Sequence, residues 1–149
     1  GHTEEEKSFL PNSDSKLAAS RAGLSKTGDW GYYGISFVNS DQLNDLMKED
    51  NNLVILDVSD KETVEDRGFV PGAVNISLGT LYYKADTEVP DDYKDERIQD
   101  REKKVIMTCS IGACAAIGGK LLKDMGFKDV VLLEGGVEAW KKSGYDIEK

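Results

Sequence analysis

The chain has 149 residues, 39% hydrophobic and 32% charged, which suits one globular domain with a single sizeable core and is too short for two. Its 28 acidic residues against 19 basic ones give a net charge of −9, and that balance argues against nucleic acid or an anionic membrane surface as a partner. No apolar run approaches the roughly 18–20 residues needed to span a bilayer.

The chain opens Gly1-His2 without an initiator Met, which reads as the remnant of a cleaved purification tag. The native N-terminus is then expected to have been trimmed, leaving both a cytoplasmic setting and export to the periplasm or cell envelope open. His2 is the only histidine and falls in that remnant. Without it, a Cys–His or Ser–His catalytic pair is unavailable, and so is a histidine metal site. Residues 1–34 read as a polar, Gly/Ser-rich arm in which Leu17 to Leu24 can form a short helix and Trp30, Tyr32 and Tyr33 can pack on the domain edge. An arm used for oligomerisation is the sharper alternative; a monomer or a homodimer is expected.

From Ile35 to Lys149 the pattern is that of a regular domain. Ile35 to Val38 is a short strand, and Asn39 or Ser40 can cap a helix carrying Leu43, Leu46 and Met47 on one face. Asn51-Asn52 ends that helix, and Leu53 to Leu56 is a continuous apolar run suited to a buried parallel strand. A polar helical stretch from Asp60 to Asp66 leads to Gly68-Phe-Val-Pro-Gly72 and a brief strand, Ala73 to Ile76. Residues 77–103 are charged and helical in pieces. Val105 to Thr108 is the next buried strand, followed by a helix with Ile117, Leu121, Leu122 and Met125 at helical spacing and Gly126 as its stop. Val130 to Leu133 is the last strand, and Gly135-Gly136 opens a final helix bearing Val137 and Trp140. Short apolar strands alternating with helices predict an α/β fold: a parallel sheet of about five strands covered on both faces.

The two cysteines stand in Cys109-Ser-Ile-Gly-Ala-Cys114. They are too few for a disulfide framework or a structural zinc site, and their spacing is not Cys-x-x-Cys. No structural metal site is expected from them. Cys109 falls at the end of a predicted strand and just before a helix, and ligands of parallel sheets bind outside the carboxyl ends of the strands. A loop curling from a strand into a helix start directs backbone N–H groups inward, an arrangement that stabilises an anionic sulfur. Gly112 suits a loop position with unusual dihedrals, and Ser110 can add a hydroxyl donor.

Four segments in order resemble the rhodanese (sulfurtransferase) family: Leu56-Asp-Val58, Gly68-Phe-Val-Pro-Gly-Ala73 with Asn75-Ile76, the strand–Cys109–helix unit, and Leu133-Glu-Gly-Gly-Val-Glu-Ala-Trp140. The run Ala113-Cys-Ala-Ala-Ile-Gly-Gly-Lys120 also looks like the small polysulfide-sulfur transferases of that family. The resemblance implies a rhodanese-like single domain. It further implies a cysteine persulfide on Cys109, which takes sulfane sulfur from a polysulfide, persulfide or thiosulfate donor and hands it to a thiol or protein acceptor, with no metal or organic cofactor needed. Ser110, Ile111, Gly112, Ala113 and Cys114 would then form the substrate-binding loop.

The chain departs from the family pattern at three places. Cys114 stands where the loop commonly carries an arginine, five residues after the nucleophile. Ser59 stands where an arginine usually follows Asp-Val, which removes a salt bridge to Asp57 that Arg67 can replace in part. Phe69 replaces a common histidine. With no cation between Cys109 and Lys120, thiosulfate, a dianion best held by a guanidinium, is expected to be a poor donor. Two other readings compete: a redox element in which Cys114 is the resolving thiol for Cys109, and a non-catalytic binding or regulatory domain. A phosphatase-type anion cradle needs its arginine where Cys114, Ala115 and Ala116 stand.

Overall fold

The computed structural model describes residues 35–49 and 52–149; the arm expected over residues 1–34 lies outside them. The elements follow in the order β1 (Ile35–Val38), α1 (Ser40–Glu49), β2 (Leu53–Asp57), α2 (Lys61–Arg67), β3 (Val74–Asn75), α3 (Leu78–Lys84), a short 3-10 turn (Glu96–Ile98), β4 (Lys104–Thr108), α4 (Ala113–Asp124), β5 (Asp129–Leu133) and α5 (Gly136–Lys142). The five strands form one sheet in the order β1-β5-β4-β2-β3, and every neighbouring pair is parallel. The predicted α/β architecture is the one observed.

Both faces are buried because the strand side chains alternate. Val54, Leu56, Val105, Met107, Val130 and Leu132 point to one core, with Leu81 of α3 and Leu122 of α4. Ile55, Ile106, Val131 and Leu133 point to the other, with Leu43 of α1 and Val137 and Trp140 of α5. Asn39, not Ser40, caps α1: its Oδ1 accepts from Gln42 N, and Gln42 Oε1 accepts from Asn39 N, each at 2.8 Å. This reciprocal pair satisfies amides that the first helical turn leaves without partners.

One expectation is corrected. Helical spacing puts Ile117 on the apolar face of α4, yet it is 44% exposed. The buried face of that helix is instead Ala115, Ala116, Gly118, Gly119 and Leu122, small residues that let α4 lie close on the sheet. Among the described residues, no helix is long and apolar enough to cross a membrane.

Candidate active site

Cys109 follows β4, the central strand, and its side chain is buried, with 3% of the residue exposed. The next residues curl upward into α4. Gly112 adopts φ +108°, in the left-handed region that glycine favours, and this turns its amide toward the cysteine. Gly112 N donates to Cys109 Sγ at 3.1 Å, and Ala115 N, in the first turn of α4, donates at 3.4 Å. The sulfur therefore sits in a cradle of main-chain dipoles at a helix start, the arrangement expected from the strand–loop–helix order. Ala115 was not among the residues singled out from sequence, since it contributes only its amide.

Cys109 lies in a cavity of about 340 Å³, walled by Val58, Asp60, Thr63 and Leu78 on one side and by Ser110, Ile111, Ala113 and Cys114 on the other. Ile111 and Cys114 are exposed, and Ala113 is half-buried. The structure thus brings Ser110, Ile111, Ala113 and Cys114 of the expected loop around one opening, while Gly112 is buried and contributes its amide to the sulfur. Ser110 differs from expectation in one respect: its hydroxyl is turned to Arg67 and accepts from that side chain. The amides of Gly112 and Ala115 are the donors found at the sulfur.

Arg67, at the end of α2, organises the floor beside the loop. Nη2 pairs with Asp57 Oδ2, and the two side chains are 7% and 0% exposed. Nη1 donates to Ser59 Oγ at 3.2 Å and to Ser110 Oγ at 2.7 Å, while Nε donates to Gly68 O at 2.9 Å. Arg67 therefore takes up the partner of Asp57 that Ser59 cannot supply. Four acceptors use nearly all of a guanidinium's five N–H groups, so little donor capacity is left for a bound anion. Asn75 Nδ2 bridges the carbonyls of Asp57 and Ser59 at 2.9 and 2.8 Å and braces the same segment. Phe69, where the family commonly has histidine, pairs by its backbone with Glu148 and does not line the cavity.

The Gly-Gly start of α5 clamps the loop from behind. Val137 N donates to Cys109 O at 2.8 Å, and Glu138 N donates to Ser110 O at 3.0 Å. Gly136 has φ +65°, and a Cβ built there would lie 2.3 Å from Cys109 O, so only glycine fits. This contact explains why the segment Leu133 to Trp140 belongs to the site. The sequence signal is the glycine pair itself; the contact of Gly136 with Cys109, 27 positions earlier, is not legible in it.

The Cys114 thiol is exposed at the cavity mouth, but the wall desolvates it in part. That burial, then the neighbouring Cys109 and the carboxylates of Asp60 and Asp57, push it above the ordinary thiol range. Among the described residues, no three of His, Cys, Asp and Glu gather in a metal-holding group.

The rhodanese-like domain model matches residues 39–143. The thiosulfate sulfurtransferase GlpE of Coxiella burnetii is 30% identical over 97 residues, covering 65% of this chain and 78% of that protein. The tRNA uridine(34) hydroxylase of Staphylococcus carnosus is 29% identical over 107 residues, 71% of this chain but only 31% of that larger protein. A solved Rhodopseudomonas palustris protein of unknown function, RPA3614, described as a possible tyrosine phosphatase, superposes with a TM-score of 0.74 at 28% identity, covering 90% of this chain and 93% of its own. Because the domain model spans β2 to β5, the cysteine loop and the α5 clamp, the chain belongs to the rhodanese-like domain family.

Proposed function

We propose that the domain is a sulfurtransferase that carries sulfane sulfur as a persulfide on Cys109. The Cys109 thiolate attacks the outer sulfur of a polysulfide, persulfide or thiosulfate donor. A Cys109–sulfur bond forms, the donor's own S–S bond breaks, and the leaving fragment departs with the electron pair. A thiol or other nucleophilic acceptor then attacks the terminal sulfur and returns Cys109 to its thiolate. The observation that carries this reading is the pair of amides, from Gly112 and Ala115, aimed at Cys109 Sγ: they stabilise negative charge on the sulfur at every stage. The cavity above the thiol has room for an added sulfur, and the similar GlpE protein is named for this class of transfer.

The likeness to a possible tyrosine phosphatase has less support at the site. A phosphoryl group needs a cation in the cradle, whereas here Cys114 holds the loop position and Arg67 is bonded elsewhere. Intact mass after exposure to polysulfide tests the proposal. A gain of one sulfur, removed by reductant and absent in Cys109→Ser, is the expected result. No gain in a folded protein would point to a non-catalytic binding domain.

A further inference from the structure

Cys114 is a second thiol at the cavity, and sulfur loading of Cys109 leaves it unused. Both cysteines are free thiols and both wall the same cavity, Cys109 buried at its base and Cys114 exposed at its mouth. Ala115, whose amide nitrogen is 3.4 Å from Cys109 Sγ, is the residue directly after Cys114. A single peptide unit therefore separates that contact from the Cys114 Cα. A sulfur added to Cys109 would rest in the cavity that Cys114 walls.

We infer that the domain also releases hydrosulfide without an external acceptor: Cys114 attacks the Cys109 persulfide and closes a Cys109–Cys114 disulfide. This inference rests on the persulfide reading above. In the step, Cys114 sulfur attacks the sulfur of Cys109 itself. The bond between Cys109 sulfur and the terminal sulfur breaks, the terminal sulfur leaves with the electron pair, and the Cys114 proton goes with it, so that the product is HS⁻. The sulfane sulfur is reduced and the two cysteine thiols are oxidised. A small thiol or dithiol from solution, the required reductant, restores the pair by disulfide exchange.

The surroundings suit this division of labour. The terminal sulfur of a persulfide anion is a poor leaving group unless it gains a proton as it departs. Burial, Cys109 and the carboxylates of Asp60 and Asp57 push the Cys114 thiol above its ordinary range, so its proton passes readily to the terminal sulfur, and the thiolate left behind attacks Cys109. An intramolecular thiol also competes well against acceptors in solution, because its effective concentration is high.

A single-turnover experiment on the full chain without oxygen tests the inference. Wild type and Cys114→Ser are loaded with polysulfide, freed of excess donor, and followed by hydrosulfide assay and intact mass with no acceptor added. The expected result is one hydrosulfide per loaded wild-type chain, at least about tenfold faster than from the variant. The wild type should end two hydrogens below its reduced mass, while Cys114→Ser keeps its extra sulfur until a thiol is supplied. A wild type that holds the sulfur as long as the variant would overturn the inference and leave the transferase proposal standing, as would an extra sulfur mapped onto Cys114. A wild type that neither takes up sulfur nor releases any hydrosulfide would overturn the transferase proposal itself, and this inference with it; a variant that alone fails to load would place Cys114 in uptake and overturn the inference.

Discussion

Arg67 Nη1 donates to Ser110 Oγ at 2.7 Å, tying the end of α2 to the residue after Cys109 across 43 positions of sequence. Through the same guanidinium, Asp57 at the end of β2 is neutralised with its side chain fully buried. A carboxylate in that position is tolerable only while paired, because removing one partner leaves an uncompensated buried charge.

Arg67→Ala is therefore expected to cost about 3–5 kcal/mol of stability. Arg67→Lys should recover part of this, since one ammonium can reach Asp57 but cannot also serve Ser59, Ser110 and Gly68. Denaturant midpoints of the three proteins check the order. An alanine variant as stable as wild type would remove Arg67 from its place in the scaffold.

Cys109→Ser should abolish reductant-labile sulfur uptake, while Cys114→Ser should still load. The Gly112 and Ala115 amides converge on Cys109 Sγ, and among the described residues no such pair is aimed at Cys114. Mass mapping after polysulfide treatment decides the assignment, and loading that survives in Cys109→Ser would place the chemistry at the other thiol.

Turnover with thiosulfate should be low, and Cys114→Arg should raise its kcat/KM by about ten- to a hundredfold, the worth of one charge-assisted contact. Arg67 has little donor capacity left, and Asp60 adds negative charge to the cavity wall. Steady-state kinetics at matched ionic strength provide the measurement; an unchanged value in a folded variant would count against the missing cation as the cause.

Alkylation of Cys114 in Cys109→Ser should climb with pH, with a midpoint on the alkaline side of a free cysteine's value of about 8.5. The sign follows from desolvation and the Asp60 carboxylate, both of which disfavour the thiolate. Asp60→Asn removes one of these, so at a fixed neutral pH it should speed alkylation roughly two- to fivefold. Rates of iodoacetamide labelling across the pH range test both points.

Gly136→Ala should destabilise the fold by about 2 kcal/mol or more, combining an unfavourable φ with overlap against the Cys109 carbonyl. Sulfur loading should weaken along with the unfolding midpoint. Equal stability would mean that the α5 clamp can give way freely.

The sheet was legible because its strands are short apolar runs, such as Leu53 to Leu56 and Val130 to Leu133, with nothing polar to obscure them. Cys109 was legible for a related reason: it closes one such run immediately before a helical pattern. The pairing of Arg67 with Asp57 could be anticipated once Ser59 stood in the usual arginine's place. Its reach to Ser110 could not, because that depends on how α2 packs beside the loop. Ile117 misled because periodicity reports an apolar stripe without saying whether small residues beside it are the ones that face the sheet. Ala115, Val137 and Glu138 act through main-chain N–H groups, which every residue but proline carries, so no side-chain pattern announces them.

The grip of α5 on the Cys109 and Ser110 carbonyls separates the shape of the loop from the identity of its side chains. A loop hung by its peptide groups keeps its inward-facing amides whichever residues stand at 111, 113 or 114. Specificity can then be rewritten one side chain at a time without rebuilding the scaffold. On the proposed transfer, a thiol at position 114 in place of the guanidinium that the family commonly has there would be such a rewriting: the inward amides stay, and what changes is the side chain standing over them.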